Sequence, residues 1–192
     1  MKNNSAKGKI FVISGPSGVG KGSLLKMLLD RYPEFLLSVS ATTRKPRLGE
    51  IDGINYFFIS KEKFQESVKK GEFLEWAQFA DNYYGTFKST VEKALLEGKN
   101  VALEIEVQGA MQIKEKMPDA VLIFISPPSL EELESRLTGR NTEDEEVIRK
   151  RLSIVESEFA KRHYFDYEVI NDNLDHALEK LESIILAEGA KN

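Results

Sequence analysis

Apolar positions along the chain alternate between two rhythms. Lys9 to Ser14 (KIFVIS) is a short β-branched and aromatic run between Gly8 and Gly15, and it predicts a buried strand. Leu24, Leu25, Leu28 and Leu29 then recur at helical spacing between Lys21 and Tyr32, where Pro33 stops the helix. Val101 to Val107 (VALEIEV) and Ala120 to Ser126 (AVLIFIS) are two more β-rich runs, and Tyr167 to Ile170 is a shorter fourth. Such runs suit parallel strands covered on both faces.

Helices are predicted between and after these strands. Ser89 to Glu92, Ser129 to Glu132 and Thr142 to Glu145 each have the capping-box spacing, and Gly98 ends the first of these helices. Ile148, Leu152, Val155 and Phe159 form one apolar stripe. Leu174, Leu178, Leu181 and Ile185 form another. The alternation predicts an α/β domain with a mainly parallel sheet. From about Ser38 to Thr86 the rhythm changes. NYFFIS, FLEWAQF and NYYGTF surround one short helix (Lys61 to Lys70), which predicts an inserted, mixed β lobe rich in aromatic residues.

Composition narrows the class. The 192 residues are 41% hydrophobic and 30% charged, enough for one domain with a real core. No run of about 18 apolar residues occurs, so no membrane span is expected. MKNNSAKGK has no apolar segment of the secretory kind. The expected location is cytoplasmic. Cysteine is absent, which excludes disulfides and Cys-ligated zinc, and two histidines (His163 and His176) cannot make a His-rich metal site. The net charge of -4 and pI of about 5.4 argue against a nucleic-acid binder, so any bound anion must be held by local groups.

Those local groups begin at GPSGVGKGS, Gly15 to Ser23. Gly15-x-x-x-x-Gly20-Lys21 has the spacing of a phosphate-binding loop. Glycines let successive backbone N–H groups converge on one anion. The helix that follows directs roughly half a positive charge at it. Lys21 adds a point charge. The alternative, a Gly-rich turn that only connects strand to helix, is disfavoured by the strand before and the helix after. Gly22 stands where Ser or Thr is usual. Ser23 can still serve a Mg²⁺ ion through water, because Mg²⁺ keeps several waters.

An acceptor site is expected in the inserted lobe. SVSATTRKPR (Ser38 to Arg47) gathers Arg44, Lys45 and Arg47 in one loop, and Arg suits bidentate phosphate recognition. A merely solvated basic loop is the alternative. Tyr56 and Tyr84, placed in strands of the lobe, have hydroxyls that can reach a phosphate. Taken alone, each reads as a half-buried strand aromatic. Glu75 sits among apolar neighbours, which is costly without donors. Guanine offers two adjacent donors, N1–H and the N2 amino group, and a carboxylate accepts both. His163, in KRHYF, reads as a surface or capping residue rather than a base.

GPSGVGKGS, SVSATTRKPR, GEIDGINYFF, FLEWAQF, NYYGT, EIEVQG and RLTGRNTEDEE occur in the order found in guanylate kinase, and the chain resembles that family from about Lys7 to Glu188. The resemblance implies a P-loop nucleoside triphosphate hydrolase-like core, mostly parallel sheet flanked by helices. Its core spans about 7–37, 87–137 and 148–188, with a GMP-binding lobe at about 38–86 and a small lid at about 138–147. It implies transfer of the γ-phosphoryl group of ATP to GMP, and to dGMP, in purine nucleotide metabolism, with Mg²⁺ accompanying ATP.

Residue by residue, the resemblance places Ser40, Glu75, Thr86 and Glu106 around guanine, and Arg44, Arg47, Tyr56 and Tyr84 on the GMP phosphate. Gly15, Pro16, Ser17, Gly18, Val19, Gly20, Lys21, Gly22 and Ser23 would hold the ATP phosphates, with Asn171 and Asp172 at the adenine side. Arg136, Arg140 and Arg151 would approach from the lid region, and with Lys21 and Arg44 would form the catalytic set. Members often carry Asp where this chain has Glu104 and Glu106, and Gly where it has Asn141. The family often reads GKG at Gly22. Two rival readings are a guanylate-kinase-like protein-binding module without catalysis and a kinase for AMP or UMP. The intact loop opposes the first, and Glu75 and Glu106 oppose the second.

Overall fold

The structure, a computed structural model, describes residues 7–79, 81–129, 131–133 and 145–189, with 145–152 described as helical backbone. Among the described residues, β1 (Ile10–Ser14), β2 (Leu36–Leu37), β7 (Val101–Glu104), β8 (Val121–Ser126) and β9 (Tyr167–Ile170) form one all-parallel sheet of five strands. Their order is β2-β7-β1-β8-β9. Ile10 pairs with Val101 on one side of β1, and Phe11 pairs with Val121 on the other.

The two-residue period of β1 divides the core. Phe11 and Ile13 face α1 (Lys21–Arg31) and α6 (Leu174–Gly189), packing with Leu24, Leu28, Leu178 and Leu181. Ile10 and Val12 face α3 (Lys88–Leu96) and α4 (Val107–Lys116), packing with Val91, Leu95 and Ile113. Both faces are covered, so all five residues of β1 are buried. Helix α5 (Glu145–Ala160) meets β8 through Phe159, whose ring lies edge-on to that of Phe124 at 6.2 Å between centroids.

A second, mixed sheet runs β4-β3-β6-β5. Its strands are β3 (Ala41–Thr42), β4 (Phe57–Phe58), β5 (Phe73–Phe79) and β6 (Asn82–Phe87), with α2 (Lys61–Lys69) against one face. Phe64 of α2 is fully buried and stacks on Phe73 at 4.5 Å and Tyr83 at 5.4 Å between centroids. This small aromatic core explains why FLEWAQF and NYYGTF carry so many rings.

Three local expectations are corrected. The strand read as Val101 to Val107 ends at Glu104, because Val107 already opens α4 with Glu106 in extended conformation before it. The helix expected to start at Ser89 begins at Lys88, after Phe87, and no side chain caps it. Phe87 is instead anchored by rings, 4.9 Å from Phe73 and 5.8 Å from Phe57, so tertiary packing sets this start. Tyr56 is not in a strand but one residue before β4, in an isolated bridge with Asp52. Gly98 does end α3, at φ 77°, with its N–H on Leu95 O and Lys99 N–H on Ala94 O. Ser129 Oγ accepts from Glu132 N at 3.1 Å, and the box at Thr142 lies outside the described residues.

Candidate active site

The carboxyl ends of β2, β1, β7 and β8 lie along one edge of the parallel sheet, the edge where open α/β sheets bind ligands. β1 runs there into the loop Gly15 to Gly20. Gly15, Gly18 and Gly20 take φ of 143°, 84° and 96°, values that side-chain-bearing residues avoid. Gly20 caps α1 in the left-handed conformation, so the first free N–H groups of the helix face the loop's hollow. Lys21 Nζ folds back on Gly15 O at 2.5 Å and Pro16 O at 3.0 Å. Asn171, buried at the end of β9, donates Nδ2–H to Val19 O at 2.7 Å and fills the space beside Gly20. Its amide braces the loop from behind. Asp172 is exposed, and its Oδ1 accepts from Asn173 N at 2.6 Å.

The loop forms one wall of a cleft of about 540 Å³. The second sheet forms the opposite wall, with Ser40, Arg44, Arg47, Tyr56, Glu75 and Tyr84, and Glu104 and Glu106 lie between. Thr86 stands behind Glu75. The structure thus brings together the phosphate loop and the predicted acceptor residues. Arg136, Arg140 and Asn141 lie outside the described residues, and Arg151 falls in the backbone-only part of α5. His163 is exposed, with Nδ1 2.8 Å from Ala160 O, away from the cleft.

Arg44 is held in a fixed pose. Its Nη1 and Nη2 bind the Glu50 carboxylate at 2.9 and 2.8 Å, and Nη1 also reaches Lys45 O at 2.8 Å. The guanidinium lies 5.4 Å from the Tyr56 centroid. Glu50 also accepts Arg47 N–H at 2.6 Å, and the Arg44 bond, then the Arg47 backbone bond, hold its carboxyl down at about 2. Glu50 was missed by sequence reasoning, and the turn at Pro46 to Gly49 that brings it back on Arg44 was the available signal.

Glu75 is only 3% exposed. A register shift between Phe73 and Glu75 in the β5–β6 pairing turns three successive residues inward, so the carboxyl faces the cleft. Thr86 Oγ1 donates to Glu75 Oε1 at 2.7 Å. Burial nevertheless pushes Glu75 up to about 7, against Thr86 and Lys116, which favour its ionised form. Glu104, open to the cleft but enclosed by protein around it, is also raised, by desolvation first, with Lys21 opposing. Glu158 of α5 is a second acidic residue that sequence reasoning missed. It lies between Val155 and Phe159 of the apolar stripe, which was the signal for its burial.

Chemically, one wall can hold a polyphosphate and the other a phosphate together with a base that presents two adjacent donors. The family model described as guanylate kinase matches residues 7–188. A guanylate kinase of Synechocystis sp. is 52% identical over 94% of this chain and 95% of that protein. One of Clostridioides difficile is 53% identical over 96% of this chain and 90% of that protein. The crystal structure of guanylate kinase from Anaplasma phagocytophilum superposes with a TM-score of 0.79 at 32% identity, covering 96% of this chain and 88% of that one. Likeness of this extent, in sequence and in fold, carries one conclusion: the chain belongs to the guanylate kinase family, ATP-dependent phosphotransferases.

Proposed function

We propose that the two walls of the cleft divide the labour of the reaction ATP + GMP → ADP + GDP between them. The observation that carries this reading is that Lys21 and its loop line the same cleft as Arg44 and Glu75. ATP phosphates sit in the Gly15–Ser23 loop against the N-terminus of α1. The GMP phosphate sits on Arg44, Arg47, Tyr56 and Tyr84. Guanine reaches Ser40, Glu75, Thr86 and Glu106, and its two donors meet the Glu75 carboxylate.

Both substrates are anionic and repel each other, so cations on both sides are what alignment requires. Arg44 and Arg47 supply them at the acceptor, and Lys21 at the donor. Arg136, Arg140 and Arg151 complete the donor side as a lid at 138–147 closes. No base is needed, because a phosphate oxygen of GMP is already ionised near pH 7.

Mg²⁺ fits as a companion of ATP. Ser23 lines the cleft one residue past Gly22 and offers the hard oxygen donor that Mg²⁺ prefers. Among the described residues no group of three His, Cys, Asp or Glu stands together as a metal cage. Bound near Ser23 with ATP, the ion would supply neutralisation of the triphosphate charge. The division into core, lobe at 38–86 and lid is part of the same proposal, as are cytoplasmic action and use of dGMP.

ADP release with GMP, dGMP, AMP and UMP tests the reading. Turnover with the guanine nucleotides at least 100-fold above the others is expected. Equal turnover with AMP, or none with any, would overturn it.

A further inference from the structure

Helix α4 packs on the first sheet through Ala110 and Ile113, yet it also holds the backbone of the second sheet at two points. Strand β5 is the outer strand of the second sheet, so the backbone groups on its far side have no strand to pair with. Gln112 of α4 meets them at Trp76. Its Nε2–H donates to Trp76 O at 2.7 Å, and its Oε1 accepts from Trp76 N–H at 3.3 Å. The amide does for β5 what a neighbouring strand would do. Lys116, the last residue of α4, donates Nζ–H to Leu74 O at 2.6 Å. Leu74 and Trp76 are the two residues that flank Glu75. Gly109, Gln112 and Lys116 follow one another at helical spacing on one face of α4, and Gly109 leaves the space that the Glu75 carboxyl occupies.

We propose that Gln112 and Lys116 are positioning residues for base recognition: by fixing the β5 backbone on both sides of Glu75, they set where its carboxylate stands against the base. This rests on the reading of Glu75 as the guanine acceptor given above. The register shift between Phe73 and Glu75 gives the clamp its purpose. Where a ladder is irregular, pairing with β6 alone does not fix the residue that turns inward. Thr86 holds one oxygen of the carboxyl, but Thr86 belongs to the same lobe. The bonds from α4 refer Glu75 to a different element, the helix that Glu106 precedes. Both carboxylates of the guanine side are thus placed by α4. A carboxylate that accepts N1–H and the N2 amino group together needs both oxygens at hydrogen-bond distance, and a small displacement loses the pair. Rejection of a base that lacks one of those donors depends on the same placement.

The test measures KM for GMP and ATP, and the inhibition constant of inosine monophosphate against GMP. Inosine monophosphate keeps N1–H and lacks the N2 amino group, so the two constants together report base discrimination. The proteins are the parent, Gln112→Met, Lys116→Met, Lys116→Arg and Glu75→Gln. Met keeps the length of either side chain without its polar end, and Arg keeps the donor and the charge of Lys116. Both Met variants should raise GMP KM about 5-fold and lower discrimination against inosine monophosphate at least 3-fold, with ATP KM within 2-fold. Lys116→Arg should restore discrimination to within 2-fold of the parent.

Unchanged discrimination in the Met variants would overturn the proposal, whatever happens to their stability. Equal weakening of both monophosphates, or a matched rise in ATP KM, would do the same, because it marks a cross-link that supports the fold only. The Lys116 pair remains readable even if Gln112→Met does not fold. Should Glu75→Gln keep the parent's discrimination, the acceptor reading of Glu75 falls and takes this inference with it. Lost discrimination in Glu75→Gln alone sinks only the role of Gln112 and Lys116.

Discussion

The carboxylate of Glu75 occupies the space that a side chain at Gly109 would fill. A Cβ built on Gly109 meets Glu75 Oε2 head-on and lies 3.1 Å from its Cδ. Gly109 is in the first turn of α4, where Ala is at least as good a helix former as Gly. Gly109→Ala should therefore fold normally and yet displace the guanine-facing carboxylate. The expected result is a GMP KM raised 10-fold or more with ATP KM unchanged. Unaltered GMP use would show that Glu75 need not stand where it does.

Glu50 should matter although it does not face the substrate. It holds one edge of Arg44 and the backbone of Arg47 together. Removing the charge of one partner loosens the group that a charge-assisted pair holds. Glu50→Gln should raise GMP KM several-fold with little change for ATP. A matched rise for both nucleotides in steady-state kinetics would contradict this division.

Glu75 costs the free protein stability as pH rises. Its folded value of about 7 lies above the ordinary carboxyl value of 4.5. The folded state thus holds its proton more tightly, and that contribution to stability is present below about 4.5 and lost as pH climbs through 7. Glu75→Gln removes the dependence. Without nucleotide the variant should melt above the parent at pH 8, by up to about 3 kcal/mol of stability, with a much smaller gap at pH 5. A gap independent of pH in thermal unfolding would refute the raised value.

The brace behind the phosphate loop gives an opposite selectivity. Asn171→Ala leaves Val19 O without its donor, a loss of about 1–2 kcal/mol. Stability should fall by that amount and ATP KM should rise several-fold, while GMP KM holds. Lys21→Ala should be more severe, reducing kcat/KM by ~4 kcal/mol of transition-state stabilisation. A Lys21→Ala protein within a few-fold of the parent would remove Lys21 from the mechanism.

The phosphate loop was legible in the sequence because its geometry is local. Gly15, Gly20 and Lys21 carry their spacing, and the runs on either side form β1 and α1. The lobe was legible through its rings, which pack as one small core around Phe64. Where the chain was misread, distant packing had overruled a local signal. Phe87 starts α3 because rings from β4 and β5 hold it, and VALEIEV stops being a strand at Glu104 because α4 must begin at Val107. Glu50 went unseen for a related reason. Its role exists only through Arg44, a partner that the fold brings to it.

Selection of guanine by Glu75 is the centre of this account, and Glu75→Gln tests it most directly. Gln keeps the size of the side chain and its bond with Thr86, but replaces one acceptor oxygen with a donor amide. KM for GMP and for ATP, measured on parent and variant at pH 7.5, should separate by at least 30-fold for GMP and less than 2-fold for ATP. An equal loss for both nucleotides, or none for GMP, would contradict it.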